Sequence, residues 1–175
     1  MQTTMKIHLS KAAGHSDTTL AAFDQALYKT GTANRNLLIL SSVIPPKTEL
    51  VLHDAEIPSE AMTGEWGDRL YVVRAEKRAD LPGVEVWAGV GWKQDPVSGR
   101  GLFVEHTAFS EESVVSLINS SLDNLMITRG LDPAAWPTNM MVQGAECKDE
   151  NDAVCALVIA AYQNSGWDNT AHLMG

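Results

Sequence analysis

The sequence predicts an α+β fold in which two helices pack outside β-sheets. Many segments show the alternating or continuous apolar pattern of β-strands, and two longer segments show helical spacing together with capping residues. The chain has 175 residues, of which 45% are hydrophobic. This size suits one domain with a substantial core, so we expect residues 1–175 to form a single folding unit.

The first predicted helix lies between clear boundary signals. Ser16 and Asp17 can cap its start, and Gly31 can end it. Its apolar residues at helical spacing are Leu20, Phe23 and Leu27. Asp24 is next to Phe23 around the helix, so we expect its carboxylate at the edge of the buried face, where it needs a partner.

The second predicted helix has the clearest pattern in the chain. It begins at Ser110, carries Glu111 and Glu112 in its first turn, and ends at Gly130. Acidic residues in a first turn stabilise a helix through its dipole. The residues expected on its buried face are Val114, Val115, Leu117, Ile118, Leu122 and Leu125.

Predicted strands occupy most of the remaining chain. They lie at residues 6–9, 37–44, 49–53, 69–74, 84–92, 101–107, 140–145 and 152–162. The tail at residues 163–175 is polar and weakly patterned, so we expect it to be loosely held.

The predicted strand at residues 37–44 begins with a continuous apolar run, which is typical of a strand buried on both faces. Pro45 and Pro46 stop it, because proline cannot continue a central strand. Ser41 and Ser42 therefore lie near the end of a buried strand. Taken alone, a serine pair in this place usually marks only a strand end.

Charge and composition argue against several functional classes. The formal net charge is -9 and no Lys/Arg run is present, which argues against nucleic-acid binding. No stretch approaches the ~18 apolar residues of a membrane helix, and residues 1–10 lack a signal-peptide core, so we expect a soluble cytoplasmic protein. The cysteine and histidine spacings match no metal or redox motif, so no metal site is predicted. An acidic surface can attract a cationic small molecule, although acidity also keeps a protein soluble.

Three segments, in order along the chain, resemble the pyruvoyl-dependent arginine decarboxylase family. They are LAAFDQAL at residues 20–27, NRNLLILSSVIPPK at residues 34–47 and GLFVE at residues 101–105. The resemblance covers roughly residues 14–162. Three segments at family-like separations are far more specific than any one of them alone.

The resemblance implies a four-layer αββα sandwich that is made as a proenzyme. It further implies cleavage between Ser41 and Ser42 into residues 1–41 and 42–175, which stay together. The implied assembly is a homotrimer with active sites between neighbouring subunits. The implied cofactor is a pyruvoyl group derived covalently from Ser42, which replaces pyridoxal phosphate as the electron sink.

This chemistry explains why serine is required on the C-terminal side of the cleaved bond. The hydroxyl of Ser42 would attack the carbonyl of Ser41 and give an ester, and β-elimination followed by hydrolysis would leave the pyruvoyl group. Such an attack is slow unless the chain holds the hydroxyl close to the carbonyl and a donor polarises that carbonyl.

The resemblance also assigns roles to three further residues. Glu105 matches the family's proton donor, a role that suits a carboxyl group on an apolar strand. Asn36 matches an asparagine that orients the substrate and helps processing. Asp24 matches the acid that receives the guanidinium, which a carboxylate can bind through two hydrogen bonds. His106 follows Glu105 and is a candidate neighbour of the site.

The implied function is the decarboxylation of L-arginine, a small-molecule amino acid substrate, to agmatine and CO2. One alternative keeps the chemistry and changes the amino acid, since a modest pocket change alters the accepted side chain. Another is an unprocessed relative that acts as a binding or assembly subunit. The chain departs from the family pattern at residues 31–34, at residues 66–69 and in the tail from Asn164. These departures concern the identity of the substrate more than the cofactor chemistry.

Overall fold

The computed structural model describes residues 5–167, which form two β-sheets flanked by two α-helices. The elements follow one another as β1 (Met5–Ser16), α1 (Thr19–Lys29), β2 (Asn36–Ile39), β3 (Val43–Ile44), β4 (Thr48–Leu52), β5 (Arg69–Ala79), β6 (Glu85–Gln94), β7 (Gly101–Ala108), α2 (Glu111–Thr128), β8 (Thr138–Glu146) and β9 (Ala153–Ser165). Two short 3₁₀ turns occupy Ser59–Ala61 and Pro133–Ala135. Across residues 5–167, no helix is long and apolar enough to span a membrane.

The two sheets differ in size and composition. The five-stranded sheet has the order β2-β5-β9-β1-β4, and the four-stranded sheet has the order β3-β7-β6-β8. In the five-stranded sheet, β1 pairs with β4 and β2 with β5 in parallel, whereas β9 is antiparallel to both of its neighbours. The four-stranded sheet is antiparallel throughout.

The layers are held together by apolar side chains on both faces of each sheet. In β9, Val158 faces the four-stranded sheet, whereas Leu157 faces α1. This strand is apolar in both directions because both of its faces are covered. On the opposite side, Ile118 of α2 packs so closely over Gly91 that a Cβ at position 91 would overlap with its Cγ2. The order is therefore helix, sheet, sheet, helix, which confirms the predicted αββα sandwich.

Helix α2 agrees closely with the sequence prediction. Ser110 is its N-cap and accepts a hydrogen bond from the Ser113 N–H, and Gly130 follows its end with φ of +68°. Of the apolar residues predicted to be buried, Leu117 is the one that is exposed, at 42%. It lies at the edge of the helix face that packs on the sheet.

The buried face of helix α1 was predicted only in part, since Leu27 is buried and Phe23 packs half-buried on the same cluster. Strand β1 extends to Ser16, so the helix starts later and Thr18 is its N-cap. The face that packs on the sheet carries Ala22 and Ala26, whose small side chains allow the helix to approach closely. Leu20 is 67% exposed instead of buried.

The predicted strand at residues 37–44 is in fact two strands in different sheets. Strand β2 pairs with β5 in the five-stranded sheet, and β3 pairs with β7 in the four-stranded sheet. The expected burial on both faces is also wrong, because β2 is an edge strand with Ile39 56% exposed. Residues 40–42 carry the chain from one sheet to the other, and we call them the crossover.

The start of the tail is better held than predicted. Strand β9 continues to Ser165, and the indole N–H of Trp167 donates to the Gly67 carbonyl at 2.8 Å. The guanidinium of Arg69 lies 4.6 Å from the centre of the Trp167 ring. The loop at residues 66–69 and the tail, which both depart from the family pattern, therefore contact each other. Residues 168–175 lie outside the described part of the chain.

Candidate active site

The crossover places the serine pair between the two sheets. The Leu40 N–H donates to the Val72 carbonyl at 2.9 Å in the five-stranded sheet. Two residues later, the Ser42 carbonyl accepts from the Phe103 N–H at 2.8 Å in the four-stranded sheet. Ser41 lies between these bonds and is exposed, so the peptide bond between Ser41 and Ser42 spans the gap between the sheets.

The backbone of Ser42 has an uncommon conformation. Its φ is +65°, in the left-handed region that residues with a side chain rarely occupy. Such a conformation costs of order 1–3 kcal/mol and persists only where the surroundings enforce it. Here the sheets enforce it, because the crossover must turn within three residues. The peptide bond before Ser42 therefore lies beside a strained residue.

The Ser42 hydroxyl is held by a carboxylate. Its Oγ donates to Glu105 Oε1 at 2.5 Å. Glu105 and Phe103 share one face of β7 because side chains alternate along a strand, and Phe103 is buried between the sheets. One short stretch of β7 thus fixes both the carbonyl and the hydroxyl of Ser42. A carboxylate in this place can accept the hydroxyl proton and later return a proton.

A cavity of about 450 Å³ opens beside this contact. Ser41, Ser42, Glu105 and His106 line it from the strand side. The His106 ring nitrogen Nε2 lies 2.7 Å from the hydroxyl of Ser121 on α2. Burial lowers the pKa of His106, against the opposing effect of the Glu105 charge, so the neutral ring is favoured. His106 therefore belongs to the wall of the cavity, next to the predicted proton donor.

The family of the chain follows from sequence comparison. Residues 6–166 match the family model of pyruvoyl-dependent arginine decarboxylases. The chain belongs to this family. Proteins named pyruvoyl-dependent arginine decarboxylase from Thermococcus kodakarensis and Pyrococcus abyssi are 29% and 30% identical to it, over 90% of this chain and 95% of each relative. The protein of that name from Methanocella arvoryzae is 24% identical over 90% of this chain and 94% of its own length.

Family membership confirms the predicted enzyme class and implies a covalently bound pyruvoyl group. The residues present fit that group. Ser42 has the required hydroxyl, Ser41 precedes it, and the Ser42 carbonyl already has a hydrogen-bond donor in the Phe103 N–H. A search of residues 5–167 finds no group of three or more His, Cys, Asp or Glu side chains that could hold a metal ion.

The structure does not bring Asn36 to this cavity within one chain. Asn36 is the first residue of β2 and is exposed, and its side-chain amide donates to the Gly67 carbonyl at 2.6 Å. The same carbonyl accepts the Trp167 indole N–H. The Gly67 carbonyl therefore links Asn36 to Trp167 at the start of the tail, and it holds the Asn36 side chain in one orientation.

Asp24 also lies apart from Ser42 and Glu105 in the single chain. It is exposed on α1, which covers the outer face of the five-stranded sheet, whereas Glu105 belongs to the four-stranded sheet. The expected position at the edge of the buried face is wrong, because the helix presents Ala22 and Ala26 to the sheet and leaves Asp24 exposed. Within residues 5–167 the Asp24 carboxylate makes no hydrogen bond or ion pair that would occupy it.

Sequence reasoning missed three features of the site. Asn124 and Arg129 line the cavity from the exposed end of α2, where polar residues look like any solvated helix surface. Tyr162 of β9 donates its phenol proton to the Val43 carbonyl at 3.1 Å, directly after the serine pair. Burial and, to a smaller extent, the negative charge of Glu105 raise the pKa of Tyr162, so its phenol keeps its proton. An aromatic residue in a predicted strand is common, so the sequence gave no sign of the hydrogen bond from Tyr162 to Val43.

Proposed function

We propose that the protein cleaves itself between Ser41 and Ser42, converts Ser42 into a pyruvoyl group, and decarboxylates L-arginine to agmatine and CO2. The observation that carries the proposal is the hydrogen bond from the Ser42 hydroxyl to Glu105 at a strained crossover. Family membership supplies the reaction class. We assign this activity to the cytoplasm, a reducing compartment that suits the free thiols of Cys147 and Cys155.

Self-cleavage begins at the Ser42 hydroxyl. Its Oγ forms a bond to the Ser41 carbonyl carbon, the C–N bond breaks, and a proton passes to the released nitrogen. Glu105 is in contact with the hydroxyl and can accept its proton. β-Elimination then releases the Ser41 carboxylate, and hydrolysis of the remaining dehydroalanine releases ammonia and leaves the keto group. Breaking this bond also frees Ser42 from its left-handed conformation.

In the decarboxylation, the pyruvoyl group supplies the electron sink. The residues of the chain have two tasks around it. The Phe103 N–H, 2.8 Å from the Ser42 carbonyl oxygen, stabilises negative charge that develops on that oxygen. Glu105, held beside position 42, delivers a proton to the former α-carbon of the substrate.

We propose that the two fragments remain one folded unit after cleavage. Residues 1–41 contribute β1, α1 and β2, and residues 42–175 contribute the other elements. Strand β1 lies between β4 and β9, both of which belong to the larger fragment. Removing the small fragment would break three strand pairings, those of β1 with β4 and β9 and that of β2 with β5, and expose the core, so cleavage alone does not release it.

We further propose a homotrimer in which a neighbouring subunit completes each site. Two features support this assembly. Asp24 and Asn36 are exposed and lie outside the cavity of their own chain. The edge strand and the residue after the serine pair expose apolar side chains, with Ile39 at 56% and Val43 at 53%. Exposed apolar residues that flank an incomplete site suit an interface between copies.

The Ser42→Ala variant is expected to remain uncleaved, because no hydroxyl is left to attack the Ser41 carbonyl. Intact mass under denaturing conditions checks this. The wild type should give a fragment that ends at Ser41 and a pyruvoyl-initiated fragment from position 42. Ser41→Ala is the matched control and should still cleave, since it keeps the nucleophile. A wild-type chain that stays whole after long incubation would point to a binding or assembly role instead.

The Glu105→Gln variant is expected to lower kcat for arginine about 10²- to 10⁴-fold per cleaved subunit, because the amide cannot deliver a proton. KM should change little. Processing should also slow, since the amide accepts a proton poorly from the Ser42 hydroxyl. Steady-state kinetics, normalised to the pyruvoyl content, checks both effects. Glu112→Gln, at an exposed position in the first turn of α2, is the control and should behave as wild type.

The Asp24→Asn variant is expected to raise KM for arginine about 10- to 100-fold, because a hydrogen-bonded pair with the guanidinium loses its charge, at a cost of roughly 1.5–3 kcal/mol. kcat should change less, and a neutral amino acid of similar length should be affected little. Asp17→Asn removes an exposed carboxylate just before the same helix and serves as the control. Unchanged arginine kinetics in Asp24→Asn would overturn the substrate assignment and leave the pyruvoyl chemistry standing.

The trimer is expected to weaken when a charge replaces an exposed apolar side chain of β2. Ile39→Glu should shift the sedimentation of the protein towards smaller species and lower the activity in parallel, since the sites are shared. Val97→Glu changes an apolar residue that is 94% exposed elsewhere, and it should do neither. A stable wild-type monomer with full activity would contradict the shared site.

A further inference from the structure

Tyr162 reaches from one sheet to the other at the cleavage point. Between Tyr71 and Val72 the pairing of β5 with β9 shifts, from Gln163 to Ala161, and Tyr162 is the residue left over. The ring of Tyr162 meets Phe103 edge to face with centroids 6.2 Å apart. Its phenol donates to the carbonyl of Val43, the first residue of β3. A side chain of the five-stranded sheet thus bonds the backbone of the four-stranded sheet.

The Val43 carbonyl lacks a partner in its own sheet for a geometric reason. In an antiparallel pair, residues that bond the neighbouring strand alternate with residues whose polar groups point away from it. Ser42 is bonded to Phe103, so the polar groups of Val43 point to the open side of the strand. β3 is an edge strand, and no further strand covers that side within residues 5–167. Tyr162 supplies the missing donor.

Cleavage makes this contact more important. It turns residue 42 into the first residue of a chain, and chain ends fray unless they are tied down. The bond from Leu40 to the five-stranded sheet then belongs to the other fragment. The new end keeps the Phe103 N–H, the two-residue pairing of β3 with β7, and Tyr162. Tyr162 is itself part of residues 42–175, so this tie does not depend on the small fragment.

We propose that Tyr162 is a positioning residue that holds the new end of the large fragment after cleavage and so keeps position 42 against Glu105. This rests on the self-cleavage proposed above. The phenol is a dependable donor across the working pH range, since its pKa is raised and it stays protonated. It acts through the Val43 backbone and needs no contact with the substrate.

The test removes only the hydroxyl, with Tyr162→Phe, and measures hydrogen exchange of the Val43 and Ile44 amides by mass spectrometry; these report for residues 42–46, because the cleaved chain has no amide at position 42 and Pro45 and Pro46 have none. In the cleaved enzyme, exchange at these amides should rise about 2- to 10-fold, the loss expected for one hydrogen bond. The same substitution in the uncleaved Ser42→Ala protein should change exchange much less, because the chain is held from both sides. kcat per cleaved subunit should fall by a similar factor with KM unchanged. Tyr71→Phe, on the neighbouring strand β5, is the control.

Each outcome decides the proposal. Wild-type exchange and kcat in cleaved Tyr162→Phe would overturn it. An equal rise in exchange with and without cleavage would also overturn it, since Tyr162 would then serve general packing. If Tyr162→Phe did not fold even in the Ser42→Ala protein, a purely structural role would follow and the proposal would fail. A wild-type protein that never cleaves would defeat the proposed function itself, which the exchange results cannot do.

Discussion

The contact between the Ser42 hydroxyl and the Glu105 carboxylate depends on a chain that leaves one sheet and enters the other within three residues. Both sheets must be packed before the contact forms, because β2 belongs to one and β7 to the other. The cost of the left-handed conformation at Ser42 is offset by the packing of the whole sandwich. The proposed chemistry is thus linked to completed folding, since an unfolded chain has no means of holding the hydroxyl beside the carbonyl.

Much of the fold could be predicted from local patterns. Ser110 and Gly130 marked the ends of α2, and the apolar run at residues 152–162 indicated the strand β9. The break within residues 37–44 could not be predicted, because apolar periodicity reports strand character and carries no information about which sheet a strand joins. Ile39 was wrongly predicted to be buried because an apolar side chain looks the same in the sequence whether it lies in a core or on the surface.

The site was less accessible to sequence reasoning than the fold. Ser42 and Glu105 are 63 residues apart, and only the family resemblance connected them. The position of Asp24 depended on which side of α1 meets the sheet, and the small residues Ala22 and Ala26 that face it were not predicted to be buried. Nothing in the sequence pattern indicated that Tyr162 and Arg129 lie at the site. Their places follow from a shift of strand register and from the packing of α2, which are properties of the assembled layers.

The interleaving of the fragments has a consequence for how such a protein can be made. Peptides spanning residues 1–41 and 42–175, synthesised separately and mixed, contain every strand and helix needed to rebuild both sheets around β1. They lack the amide between the serines, which the proposed acyl shift would consume. A reconstituted pair would have the architecture of the mature enzyme with an ordinary serine at its new amino terminus. In the proposed maturation this amide is consumed in forming the cofactor, so dividing the coding sequence between Ser41 and Ser42 would prevent formation of the pyruvoyl group.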